Sequence, residues 1–132
     1  MTDQTALSIV DFLNARLAED AEAAQAADGG EWTFKETYWL DYNWAIENAD
    51  EDTVFRAVNL WSMPAASHVA RHDPARVLRE IAAKRAIIDV WQIAEQTHDI
   101  LGDGFIALDR AVRTLADIYA DHAEYNREWA VA

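Results

Sequence analysis

Cysteine is missing from this chain, which removes disulfide staples and thiolate metal sites together. Also missing is any apolar run of about 18 residues, the length a membrane-spanning helix requires. The first residues carry neither the basic nor the apolar stretch of a secretory signal. Bases are scarce: 11 Lys and Arg stand against 24 Asp and Glu, a formal net charge of −13. A surface of that sign repels nucleic acid and anionic membranes over a Debye length. No glycine-rich phosphate loop, nucleophile elbow or Ser/His/Asp pattern is present. These absences predict a cytoplasmic protein without membrane attachment or cofactor, and they count against nucleic acid as a partner.

What is present is apolar periodicity. At 132 residues the chain is expected to be a single domain, 1–132, with a core that needs no covalent staple. The centre of the chain is the most informative part. Asp73-Pro74 is a helix start with a mechanism, an acceptor side chain followed by a residue that has no N–H to leave unpaired. Val77, Leu78, Ile81, Ile88 and Trp91 then recur at helical spacing, which predicts a long central helix from about Pro74 to about Asp99, closed by Gly102 and Gly104. Between Ala86 and Ala94 the helix is apolar nearly all round, because Ile87, Val90 and Ile93 lie off the first stripe. Such a helix is either central in the core or covered by a second subunit. Arg71, Arg76, Arg79, Lys84 and Arg85 gather towards its start, where the macrodipole prefers acids. Pairing with carboxylates elsewhere is the expected use of these bases; an anion site on Arg76 and Arg79 is the alternative.

Around this helix the chain reads as α+β. Val10, Leu13, Leu17, Ala21 and Ala24, widened by Ile9 and Phe12, predict an N-terminal helix over 5–27, stopped at Asp28-Gly29-Gly30. From Trp32 the period changes to two, giving a strand to Leu40 and a turn at Asp41–Asn43. A short strand through Trp44 and Ile46, a polar turn at Asn48–Asp52 and a strand from Val54 to Trp61 complete a small antiparallel β-meander. A short helix from Ser62 to about Arg71 leads into the central one. Phe105, Leu108, Val112, Leu115 and Tyr119 predict a C-terminal helix, and Tyr125 and Trp129 are placed to staple the tail back.

The run HVARHDPARVLREIAAKR from His68 to Arg85, the tail YADHAEYNREW from Tyr119 to Trp129, and FLNARLAED from Phe12 to Asp20 resemble a family of small uncharacterised proteins of actinobacteria and their phages. The resemblance covers both ends and the centre, and is weakest over 32–61. Where that family usually carries a tail proline, this chain has Ala123. The resemblance implies an actinobacterial cytoplasm, for a host protein or a phage product, and implies no activity.

Several constellations offer chemistry. His68 and His72, at i and i+4, can present two imidazoles on one helical face to a metal; capping or carboxylate contacts are their ordinary use. His68, His98-Asp99 and a later Asp117 or Asp121 follow the ligand order of metal-dependent HD-type phosphohydrolases, provided the segment between the histidines folds as two helices. Glu19-x-x-Glu22 and Glu47-x-x-Asp50 have the spacing of magnesium-holding all-α pyrophosphatases, provided both pairs are helical. Glu95-x-x-His98 is half of a di-iron pattern with no second copy. Six tryptophans are too many to bury fully in so small a protein. Trp39, Trp44, Trp61 and Trp91 are therefore the expected contact residues for a protein partner.

The leading expectation is a protein-interaction module with no metal site, acting through the aromatic sheet or the central helix, on a cellular protein or on a second copy as a homodimer. An HD-like phosphohydrolase and an acidic nucleic-acid mimic are the alternatives.

Overall fold

The computed structural model describes residues 7–27, 30–39, 42–57, 63–97 and 102–131. It is α+β with the expected order of elements. Helix α1 (Ile9–Ala26) precedes strands β1 (Thr33–Trp39), β2 (Tyr42–Glu47) and β3 (Thr53–Ala57). Helices α2 (Met63–Arg71), α3 (Pro74–Gln96) and α4 (Asp103–Asp117) follow, with a 3-10 turn at Arg127–Trp129. Two compact units divide the chain, Asp20–Glu80 and Met1–Glu19 with Ile81–Ala132.

The first of these units holds the sheet. Its strands form an antiparallel meander in the order β1-β2-β3. Phe34 pairs with Ile46, and Ile46 with Phe55, so these three residues share a face. The next β2–β3 pair is Glu47 with Thr53, which leaves Val54 as the extra residue of a bulge. Val54 then joins Trp32, Phe34 and Val69 around a buried cluster of Ile46, Ala66 and Ala70. Ala66 and Ala70 lie one turn apart on α2, and their small side chains let that helix approach the sheet closely. The turn expected at Asp41–Asn43 lies partly outside the described residues; Tyr42 and Asn43 belong to β2, and Tyr42 pairs with Trp39. The Asn48–Asp52 turn forms as expected, on a buried Asn48 whose Oδ1 accepts from the N–H groups of Asp50 and Asp52, both at 2.9 Å. Glu51 takes a φ of 64° within it.

Asp73 joins this unit's two halves. Its Oδ1 accepts from Arg76 N at 2.8 Å, the expected helix cap, and its Oδ2 accepts from Trp32 N at 3.0 Å. Beside it the carbonyl of Gly30, a residue held at φ 72°, accepts from Ala75 N at 2.9 Å. The first turn of α3 is thus satisfied by the chain entering β1.

The second unit is built on the start of α1, where Ser8 Oγ accepts from Asp11 N at 3.0 Å. Phe12, fully buried, is ringed by Tyr119, His122, Tyr125 and Trp129 at centroid distances of 6.3, 5.7, 6.1 and 5.1 Å. The tail is therefore stapled by Tyr125 and Trp129, as expected. Helix α4 gives way after Asp117 to tighter i to i−3 bonds through Ala120, rather than running on as α-helix. Ile81, Ile88 and Trp91 bury one side of α3, and Val112 and Ala116 one side of α4. The two helices meet where Trp91 Nε1 donates to Asp109 Oδ1 at 3.0 Å, with Phe105 against the indole.

Asp73→Ala removes a helix cap and the acceptor of Trp32 N at once. It should lower unfolding free energy by about 2 kcal/mol in urea titration, and Asp73→Asn, an equally good cap, by clearly less.

Candidate functional site

The most exposed apolar surface on any one described element lies on α3. Buried positions on this helix are Ile81, Ile88 and Trp91. Ile87, Val90 and Ile93 point elsewhere and are 36, 55 and 61% exposed. The expectation that this half of the helix is central in the chain's own core is thereby corrected, because the fold covers one side only. Ala83, Ala86, Val90, Ile93 and Thr97 alternate three- and four-residue steps, the seam pattern of paired helices, with Ile87 at its edge. The four alanine and branched residues of that seam are all exposed. Leu7, Phe55, Ile106 and Ile118 are also exposed, but as scattered single residues, which is ordinary for a protein surface.

Of the charges on this half of α3, Asp89 borders the seam, Lys84 and Glu95 share the helical stripe of Ile81, Ile88 and Trp91, and Arg85 lies between. None of these four makes an ion pair within the chain among the described residues. The expected pairing of the bases with carboxylates holds for Arg76, whose Nε donates to Glu80 Oε1 at 2.9 Å, and does not extend to Lys84 or Arg85. The donors that an anion site would use at Arg76 and in the first turn are taken. Asp73 and Gly30 take the N–H groups of Arg76 and Ala75, while the Arg76 guanidinium holds Glu80 and the Arg71 carbonyl.

The tryptophans divide. Trp91, expected at a contact surface, is buried instead, because its ring packs against Phe105 and its N–H finds a carboxylate in Asp109. Trp39 and Trp44 belong by backbone to β1 and β2, where Trp44 pairs with Glu36. Their side chains, and the whole of Trp61, lie outside the described residues.

The metal-dependent readings fare as follows. His98 and Asp99 lie outside the described residues, which takes the HD order and the Glu95-x-x-His98 pattern with them. Of that reading's residues, His68 lies on α2, and α3 follows it from Pro74 to Gln96. Asp117 is occupied by the Tyr125 hydroxyl. In the pyrophosphatase reading, Glu47 ends β2 and Asp50 sits in the turn, so the second pair is not helical, while Glu19 is bound to Arg16. Among the described residues no group of three or more His, Asp or Glu side chains gathers to hold a metal. His68 and His72 do come together at the end of α2, with ring centroids 4.3 Å apart.

Residue-level reading of the sequence missed one cluster. Arg16 is buried, and its Nε and Nη2 donate to both oxygens of Glu19 at 3.0 and 2.9 Å. Its Nη1 donates to Glu124 Oε1 at 3.1 Å and to His122 Nδ1 at 3.0 Å. A guanidinium has only donors, so His122 Nδ1 is an acceptor, as it is for Glu124 N. Burial opposes the Arg16 charge, but the bonds and attraction of Glu124 and Glu19 outweigh it and raise the guanidinium's pKa further. The guanidinium also lies over the Phe12 ring, 5.2 Å from its centroid. Arg16 thus ties α1 to the tail through Nη1 while Glu19 of its own helix takes Nε and Nη2, so the cluster's work is structural.

Residues 7–131 match the model of a family described as of unknown function, DUF6221. No curated protein and no solved structure matches the chain. Among the described residues no helix is long and apolar enough to cross a membrane.

Tyr125 supplies a test of the tail. Its hydroxyl donates to Asp117 Oδ1, and that bond, then burial, then the Asp117 charge, raise its pKa above the ordinary tyrosine value. A raised pKa in the folded state gives stability that is present below the unfolded pKa and lost as pH rises through the folded one. Denaturation midpoints followed from about pH 8 to pH 11 should fall more steeply for the native chain than for Tyr125→Phe. Parallel curves would mean that the hydroxyl does not hold the tail.

Proposed function

The chain belongs to the DUF6221 family, and on that premise we propose that it works by protein contact, through the exposed seam of α3, with a second copy of itself as the occupant. One observation carries this reading. Val90 and Ile93 are 55 and 61% exposed at the centre of a helix whose opposite side is already buried. A closed two-fold contact places the same patch on both copies, and a seam of three- and four-residue steps is self-complementary in that sense.

Removal of the apolar seam from water supplies the affinity. The net charge of −13 works against association at long range, since identical copies repel.

Light scattering on the 14.9 kDa chain should give twice the monomer mass. Val90→Asp buries an unpaired charge on both sides of the contact. Its cost of roughly 3 kcal/mol or more should weaken association at least about 100-fold, with helix content unchanged because Val90 is exposed in the monomer. Added salt should strengthen association by screening the net repulsion. A monomer at about 100 μM, a concentration at which a micromolar contact is saturated, would overturn the reading.

A further inference from the structure

His68 and His72 are both exposed, one turn apart at the C-terminal end of α2. Their ring planes are 38° apart, with centroids separated by 4.3 Å. His72 Nδ1 lies 2.8 Å from the His68 carbonyl oxygen. A carbonyl oxygen only accepts, so the proton is on Nδ1 and the lone pair is on Nε2. The same carbonyl takes the His72 backbone N–H at 3.3 Å. His72 thus caps the end of its helix, and in doing so is fixed in one tautomer and held by its inner nitrogen. Neither imidazole meets a carboxylate among the described residues.

This is the arrangement in which imidazoles bind metal. A ring N–H held by a backbone carbonyl fixes the tautomer and orients the other nitrogen as a ligand. Two imidazoles one helical turn apart on one face can converge on a single ion, as the histidines of helical zinc motifs do. We propose that His68 and His72 form a two-nitrogen chelate for one divalent transition-metal ion of the imidazole-preferring class, with water completing its coordination.

The surroundings fit a cation of modest charge. The chain's net charge of −13 concentrates divalent ions near its surface. Arg71, the nearest like charge in sequence, is exposed and screened by solvent. Among the described residues no carboxylate pairs with either imidazole to hold a hard, oxygen-preferring ion, which separates this site from the acidic surface at large.

The full chain should be titrated calorimetrically with Zn²⁺ alone, then with Cu²⁺ and Mg²⁺, in a buffer that does not coordinate metal. One Zn²⁺ per chain is expected, Cu²⁺ should bind more tightly, and excess Mg²⁺ should not displace either. His68→Ala and His72→Ala should each lower Zn²⁺ affinity at least tenfold, and His98→Ala should leave it unchanged. Circular dichroism of each variant should match the native spectrum, because both side chains are exposed. The chelate is overturned if the double variant His68→Ala/His72→Ala binds Zn²⁺ as the native chain does. It is overturned equally if only one of the two histidines matters, or if Mg²⁺ competes.

Discussion

Asp73 holds two distant parts of the chain with one carboxylate. One oxygen closes the first turn of α3, and the other takes the backbone of Trp32, 41 residues upstream. A helix start exposes N–H groups that must find acceptors, and here β1's approach supplies them through Asp73 and Gly30. Proline at the next position has no N–H to satisfy. Position and composition therefore agree at this point, and the helix can begin nowhere else. The same carboxylate explains why a basic helix start is tolerated. Asp73 brings negative charge to the end where the macrodipole wants it, and Glu80 answers Arg76 one turn on.

Helix α3 runs for 23 residues, and from Ile81 onward its two sides meet different surroundings. Ile81, Ile88 and Trp91 take the buried side. The apolar residues between them fall on the opposite side by geometry alone, so burying both within this unit is impossible without another layer. Apolar content all round a helix was readable from the sequence. Which side the chain itself covers was not, since both sides offer branched residues at helical spacing.

The legible features were those with local causes. Asp73-Pro74, the Asn48 turn and the period-two run into β1 each act through neighbours a few residues away. Features that depend on distant partners were not legible. Arg16 reads as one polar residue on an amphipathic helix, yet it is buried because Glu124 and His122 come from 108 and 106 residues downstream. Trp91 reads as a contact residue until Asp109 is found to accept its N–H. Val54 became the extra residue of a bulge because β2 and β3 slip by one position there, which no alternation in β3 announces. At the candidate site itself, the histidine spacing was plain, but the carbonyl that fixes one ring was a matter of where α2 ends.

Folding also sorts the polar and aromatic groups into those it uses and those it leaves over. Asp73, Arg16, Asp109, Asp117 and Trp91 are fully engaged, and removing any of them would be felt as lost stability. The seam of α3 and the outer nitrogens of His68 and His72 make no such contribution. Exposed branched side chains cost solvation, and a capping histidine serves the helix end as well with or without a second imidazole beside it. Local choices that do not serve the fold are where a sequence records other demands. By that test the far side of α3 and the end of α2 are the surfaces the fold leaves over, and that is why the proposed contact and the proposed chelate are placed there.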